Sequence, residues 1–207
     1  GTPYVKVFEE ERELTVFILA DISGSIDGGT RGVSKRDRIT ELAAVLAFSA
    51  MGNNDKVGAI LFSDRIEKFI PPKKGKSHVL RIIREIIEIE PEGKGTDITN
   101  ALDHFLSAMK KRTVSFLLSD FRDSGYEELL KRAGRKHDFV ALKIEDPIDL
   151  DIPDVGWLPL KDPESGETKW MRTGSKKDRT KYKAIELERS DSLKRAFARA
   201  GIDSTTI

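Results

Sequence analysis

FILADISGS, Phe17 to Ser25, is an apolar run that stops abruptly at a carboxylate and two hydroxyls. Leu14 to Ala20 have the length and near-continuous apolarity of a strand buried on both faces, as at the centre of a parallel sheet. The chain therefore leaves a hydrophobic layer and at once presents Asp21, Ser23 and Ser25. All three carry hard oxygen donors, suited to Mg2+, Ca2+ or Mn2+ rather than to softer metals. Two later segments end in similar chemistry: GKGTDIT, with Thr96 and Asp97, and TVSFLLSDF, with Asp120. Convergence of the three loops on one ion is the expectation these segments set up.

Outward from that stretch, strand and helix patterns alternate. Ile39, Leu42, Ala43, Leu46, Ala47 and Ala50 recur at helical spacing and give one apolar face, on a helix ending near Gly52. Lys56 to Phe62 reads as the next strand, and Ile66 to Ile70 as an edge strand stopped by Pro71-Pro72. A helix from about Ser77 to Ile89 carries a stripe of Val79, Ile82, Ile83, Ile86 and Ile87. Its β-branched content is unfavourable by propensity, so packing must hold it. Ile98, Ala101, Leu102, Phe105, Leu106 and Met109 mark a third helix, capped by Asp97 or Thr96. Thr113 to Leu118 and Phe139 to Ile144 are two further strands. Between them, Ser124 and Glu127 have capping-box spacing for a helix through about Lys136.

Alternation of this kind predicts an α/β three-layer sandwich with a mostly parallel central sheet. In such sheets ligands gather beyond the carboxyl ends of strands, where Asp21, Asp120 and the GTD loop can all arrive. The core is expected over about 12–146 of a single domain spanning 1–207, with a C-terminal hairpin plus helix over about 147–207. In that last part the KDPESG turn separates two strand-like stretches, which Trp157 and Trp170 are expected to help pack. KKDRTKYK, Lys176 to Lys183, reads as a solvated face of a loop or helix. Helical spacing returns at Ser190 with Leu193, Ala196, Phe197 and Ala200, and Gly201 is the expected stop. The final IDSTTI suits a short strand or a ragged end.

Composition narrows the classes. The 207 residues include 36 Lys and Arg against 35 Asp and Glu, so net charge is +1. General nucleic-acid binding needs a concentrated basic excess, and none is expected here. With no cysteine, disulfides and zinc–thiolate sites are excluded. No transmembrane stretch or signal peptide is evident, and GTPYVKVFEEERE reads like the middle of a longer protein. The expected location is cytoplasmic, or membrane-tethered in the full-length protein.

A shell of two carboxylates and several neutral hydroxyls leaves a divalent ion electrophilic, ready for an acidic ligand from another molecule. By two-residue alternation Ser23 and Ser25 face the same side of an extended turn. Thr96 adds a hydroxyl and Asp120 a carboxylate. The plainer reading is a loop in which Ser and Asp cap helices and satisfy backbone groups. Asp97 suits a cap or supporting acceptor, Ser119 a backbone bond near Asp120, and Asp123 a solvated loop acid. Gly93 and Gly95 allow the Thr96 loop to approach the sheet edge. His78, His104 and His137 form no ligand or catalytic pattern and read as packing or surface residues. A metal-assisted hydrolase such as a phosphatase is the alternative class. A serine nucleophile would need an activating base, and neither GxSxG nor GxxxxGK[ST] is present. No catalytic residue is therefore assigned. A scaffold with a degenerate metal site is a third class.

DISGS resembles the DxSxS motif of von Willebrand factor A domains, and Thr96 and Asp120 match the remaining two positions. The order of elements is similar across nearly the whole chain. The resemblance implies a metal-ion-dependent adhesion site made of Asp21, Ser23, Ser25, Thr96 and Asp120. It implies Mg2+ as the usual ion, with Mn2+ or Ca2+ as alternatives and an acidic partner residue completing the shell. More narrowly, YVKVFEEERELTVFILADISGS, GTDITNAL and FLLSDF resemble the DUF58 branch of bacterial proteins. That resemblance implies a protein-interaction module accompanying a MoxR-type AAA+ ATPase in complex assembly or maturation. It also implies a parent protein that can carry membrane segments upstream. Ile26 departs from the Met often found after DxSGS, outside the donor set.

Overall fold

A computed structural model of the chain describes residues 13–24, 34–146, 152, 154–161 and 168–207. Its elements are β1 (Thr15–Asp21), α1 (Lys35–Gly52), β2 (Lys56–Phe62), β3 (Ile66–Lys73), α2 (Lys76–Glu88) and α3 (Ile98–Ala108). They continue through β4 (Val114–Ser119), α4 (Glu127–Lys136), β5 (Asp138–Lys143), β6 (Trp157–Lys161), β7 (Thr168–Arg172), α5 (Lys176–Ala200) and β8 (Asp203–Thr206). The main sheet runs β3-β2-β1-β4-β5-β8. Among the described strands of this sheet only β3 is antiparallel to its neighbour. This is the three-layer α/β sandwich expected from the alternation.

The period-2 pattern of β1 assigns its side chains to two cores. Val16, Ile18 and Ala20 pack with Ile39, Ala43 and Ala47 of α1 and Val79, Ile82 and Ile86 of α2. Phe17 and Leu19 pack with Ile98, Leu102 and Phe105 of α3, Leu130 and Ala133 of α4, and Phe197 of α5. Full burial of a large aliphatic side chain is worth about 1.5–3 kcal/mol. That is ample to hold the β-branched α2 helical against its propensity. Ile87 is the exception on the α2 stripe and stays 61% exposed, its position having turned off the buried face.

Several boundaries differ from expectation for local reasons. β3 continues to Lys73, through Pro71 and Pro72. Its register against β2 slips between Ala59 and Val57, so the prolines sit in a bulge on an edge strand, where a missing N–H is tolerated. α4 has Tyr126 at its N-cap with no side-chain cap bond, so the Ser124–Glu127 capping box does not form. Glu127 and Glu128 in the first turn favour the helix dipole instead. α5 starts at Lys176, well before Ser190, with Ser175 accepting from the Asp178 amide. KKDRTKYK is thus helical. The final residues form β8, parallel to β5, after Gly201 closes α5 at φ 68°.

β6 and β7 pair antiparallel, as expected, while Asp162 to Gly166 of the expected turn lie outside the described residues. The two tryptophans do not pack this ribbon: Trp157 and Trp170 are 63% and 65% exposed. They fall on one face of the ribbon, because Trp157 pairs with Arg172 and Trp170 with Pro159.

His137 illustrates the packing reading of the histidines. It is buried, its Nδ1 accepts from the Thr113 amide at 3.3 Å, and its ring lies 4.6 Å from that of Phe105. The proton therefore sits on Nε2, which has no hydrogen-bond partner among the described residues. Burial, then the charges of Lys136 and Arg112, push its pKa down to about 4. An unfolded histidine titrates near pH ~6.5. The stability gained by keeping the ring neutral is thus complete above that value. It is lost as pH falls towards 4, where the unfolded chain binds the extra proton. Thermal melts from pH 7 to 4 should show Tm falling across this window in the native protein and falling less in His137→Gln. Parallel curves for the two proteins would assign the acid loss elsewhere.

Candidate metal centre

From β1 the chain moves outward to β2 and β3, then returns to place β4 on the other side of β1. The carboxyl ends of β1 and β4 therefore flank a topological switch point, the usual position of a ligand crevice in an open α/β sheet. Asp21 is the last residue of β1, and Ser119-Asp120 close β4. The expectation that these segments reach one edge is met by strand pairing itself, since β1 and β4 are hydrogen-bonded neighbours.

Asp21 has no exposed surface. Its Oδ1 accepts from the Ser23 amide at 3.0 Å, and its Oδ2 from the Ser119 hydroxyl at 2.6 Å. Burial, reinforced by the nearby Asp120 charge, pushes its pKa up to about 7. Ser119 also accepts from the Phe121 amide at 3.0 Å. The expected backbone bond is therefore present, and the bond to Asp21 is an addition that one sequence does not reveal.

Thr96 reaches the same edge and donates to the Ser23 hydroxyl at 2.8 Å. Its loop is fastened by the turn between β2 and β3. The Lys94 and Gly95 amides each donate to Asp64 at 3.2 Å, the Gly93 amide to Glu67 at 2.9 Å, and the Asp97 amide to the Ser63 carbonyl at 2.8 Å. Gly93 is needed for this close approach, since a Cβ there would lie 2.1 Å from Asp64 Oδ1 and 2.2 Å from Ser63 Oγ. Asp97 caps α3 by accepting from the Asn100 amide at 2.7 Å. Asp123 is half-buried rather than a solvated acid. It accepts from the Ile98 amide at 2.8 Å and so ties the loop after β4 to the start of α3. Its pKa is raised chiefly by burial.

Asp120 is also buried, with Oδ1 accepting from the Arg122 amide at 3.2 Å. Its Oδ2 faces two cations, Lys35 Nζ at 3.2 Å and Arg122 Nε at 3.7 Å. Lys35 is the residue that sequence reading missed. No role is expected of it from sequence, yet it opens α1 and is buried. A signal was present: Ser34 and Asp37 form a capping box that starts the helix there. Phe121, after Asp120, adopts φ 55°, a left-handed conformation costly for a residue with a side chain. Its ring is held 5.0 Å from that of Phe197 and 6.2 Å from that of Tyr126. The turn sends Phe121 into the core beside an Asp120 that stays at the edge.

Asp21, Ser23, Thr96 and Asp120 thus meet at one sheet edge, while Ser25 lies outside the described residues. Among the described residues no three His, Cys, Asp or Glu side chains cluster, which leaves a donor set weighted towards hydroxyls. That set fits a hard divalent ion. The Ser23 and Thr96 hydroxyls are hydrogen-bonded to each other at 2.8 Å, which brings the oxygens of two loops to one point of the edge. The Lys35 ammonium on Asp120 shows that the edge accepts positive charge.

The fold is a three-layer α/β sandwich with sheet order β3-β2-β1-β4-β5-β8, as the resemblance to von Willebrand factor A domains leads one to expect. The family model described as "Protein of unknown function DUF58" matches residues 1–192, and the chain belongs to that family. An uncharacterized protein of Mycobacterium tuberculosis is 29% identical over 167 residues, covering 79% of this chain and 53% of that protein. A Mycobacterium bovis protein matches to the same extent. The chain therefore spans about half the length of the curated relatives it matches. Among solved structures, an aerotolerance-related membrane protein from Bacteroides fragilis superposes with TM-score 0.64 at 18% identity, covering 94% of this chain and 91% of that one. The conserved hypothetical protein BatB from Bacteroides thetaiotaomicron gives 0.60 at 18% identity, covering 94% and 90%. At these identities the likeness is one of fold. No helix among the described residues is long and apolar enough to cross a membrane.

The anchoring of the Thr96 loop predicts that Gly93→Ala is destabilising. The added methyl meets side chains already held by hydrogen bonds, an overpacking cost of about 1–3 kcal/mol. A fall in Tm of about 3–10 °C is expected in a domain of this size. An unchanged melt would show that the turn yields freely.

Proposed function

We propose that this domain is a metal-dependent protein-interaction module, in which a divalent ion at the β1–β4 crevice receives an acidic residue of a partner protein. The observation that carries this reading is the meeting of Asp21, Ser23, Thr96 and Asp120 from three separate segments, with the Ser23 and Thr96 hydroxyls 2.8 Å apart. Asp21 and Asp120 supply the negative charge, the hydroxyls complete the neutral part of the shell, and Ser25 is assigned by the motif. Mg2+ suits this oxygen set, with Mn2+ or Ca2+ as alternatives. When bound, the ion supplies an electrophilic position for a carboxylate.

The surroundings favour binding over turnover. The Ser23 hydroxyl accepts a hydrogen bond from Thr96, and none of the three histidines serves it as the base that a serine nucleophile requires. The three histidines are engaged elsewhere: His78 with the Val57 carbonyl, His104 with the Phe69 ring, and His137 with Thr113. On the strength of family membership we extend the proposal to a MoxR-type AAA+ ATPase as the partner class, acting in complex assembly or maturation. The Bacteroides fragilis neighbour is named a membrane protein, which supports the reading that the full-length protein is membrane-tethered.

Calorimetric titration with MgCl2 checks the ion. The native chain should bind one equivalent, and Asp21→Ala/Asp120→Ala should lose at least about tenfold in affinity with its circular dichroism preserved. Equal binding by both would remove the site. Capture of the partner ATPase should then disappear with EDTA and return with Mg2+. Capture indifferent to chelation would leave the ion a structural role only.

A further inference from the structure

Among the described residues, Lys35 is the one charged side chain buried beside the crevice whose presence the motif does not explain. Its side chain is 6% exposed and its ammonium lies 3.2 Å from Asp120 Oδ2, itself on a side chain 2% exposed. A lysine is rarely buried unless it is paired. The first turn of a helix is also an unfavourable place for positive charge, since the helix dipole already presents its positive end there. α1 is started by the Ser34–Asp37 capping box, with the Asp37 amide bonded to Ser34 Oγ at 3.0 Å and the Ser34 amide to Asp37 Oδ2 at 2.8 Å. Lys35 therefore contributes nothing the cap needs, and its position is explained by what its ammonium reaches.

We propose that Lys35 is a tethered cation that occupies Asp120 in the metal-free domain and competes with the incoming divalent ion for that carboxylate. The inference rests on the metal-centre reading above and goes beyond it by naming the residue that sets the affinity. Asp120 Oδ1 is partly used by the Arg122 amide at 3.2 Å, and Oδ2 is the oxygen facing Lys35. A dication drawn to this carboxylate meets an ammonium already on it. Either the two positive charges coexist at close range or the lysine withdraws. Withdrawal is physically open to lysine, whose charge rides on a flexible four-carbon stem. Arg122 is a poorer candidate for the role. Its Nε is farther from Oδ2, at 3.7 Å, and its guanidinium is also held 3.5 Å from Glu186 of α5. In the absence of metal, Lys35 offsets one of two buried carboxylates that otherwise repel each other. On loading, that contact is exchanged for the ion, so metal affinity is lowered and tied to a movement at the start of α1.

The test is MgCl2 titration of the full chain by calorimetry, with melts recorded without and with Mg2+. Lys35→Met keeps the stem and removes the charge. It should bind Mg2+ at least about tenfold more tightly than native protein, while its metal-free Tm falls and the Mg2+-induced rise in Tm widens. Lys94→Met is the control for loss of a positive charge from the same rim, since Lys94 is exposed on the Thr96 loop. It should change affinity far less. If Lys35→Met folds poorly, Lys35→Gln retains a hydrogen-bonding head and should give the same direction of change. In native protein, the Lys35 side-chain 13C resonances should shift with the midpoint of the Mg2+ titration. Unchanged or weaker binding in a folded Lys35 variant, or an equal gain in Lys94→Met, would overturn the competition while leaving the metal site intact. Failure of native protein and both Lys35 variants to bind Mg2+ would instead overturn the metal-centre reading, and the competition with it.

Discussion

A carboxylate with no exposed surface stands at the end of the central strand, and the edge of the sheet is organised around it. Burying an ionised group without compensation costs many times what a single good contact returns. Asp21 is compensated locally by the Ser23 amide and across the sheet by the Ser119 hydroxyl. The second bond fastens the ends of β1 and β4 to each other, beyond the last residue of the ladder, which pairs Ala20 with Leu118. Both burial and the neighbouring Asp120 oppose the charge on Asp21. Positive charge reverses the second effect, and the structure already contains some, in Lys35 and Arg122 around Asp120.

The third contributor, Thr96, is placed by a different device. Asp64 and Glu67, in the β2–β3 turn and on the edge strand, receive the backbone amides of the Gly93–Gly95 segment. These acids therefore act as anchors for a loop. The distinction matters for reading sequences, because acid residues near a candidate centre are readily counted as ligands. Here the acids that bind the loop backbone and those at the crevice come from different turns. The neutral hydroxyls of Ser23 and Thr96 join the two systems through one hydrogen bond.

Sequence was a good guide wherever an apolar period continued long enough to read. The central strands, α1, α2 and α3 bury the faces their spacing predicts, Ile87 excepted, and the mostly parallel sheet follows from alternation, whereas the order of its strands does not. Reading failed where charge masked the period. The first half of α5 is so densely charged that helical spacing shows only from Leu193 onward, although Ser175 and Asp178 begin the helix much earlier. Lys35 failed for a related reason: a lysine beside glycines reads as loop, and its burial comes from Asp120, which lies 85 positions away in the chain. Trp157 and Trp170 show the opposite error. Aromatic character suggests burial, yet a two-stranded ribbon buries neither of their side chains. The four described crevice residues were legible because their types are chemically restrictive, whereas Ser119's bond to Asp21 depends on strand register.

The C-terminal helix, read from sequence as lying outside the core of the domain, bears directly on the position of Asp120. Phe197 of α5 packs against Phe121, the residue held at a positive φ immediately after Asp120. Arg189 of α5 donates to the Phe121 carbonyl at 2.9 Å, and Glu186 of α5 pairs with Arg122 at 3.5 Å. An unfavourable backbone conformation persists only when surrounding contacts over-determine it, and three of those contacts come from α5. The helix in turn is tied to the sheet by β8, which follows it and pairs with β5. Carboxylate position is thus set from both directions along the chain. Ser119 and Asp21 fix it through the strands, and α5 fixes the turn that follows. Residues that spell the motif name the chemistry of the crevice, but the distance between its two carboxylates depends on a helix that carries none of them.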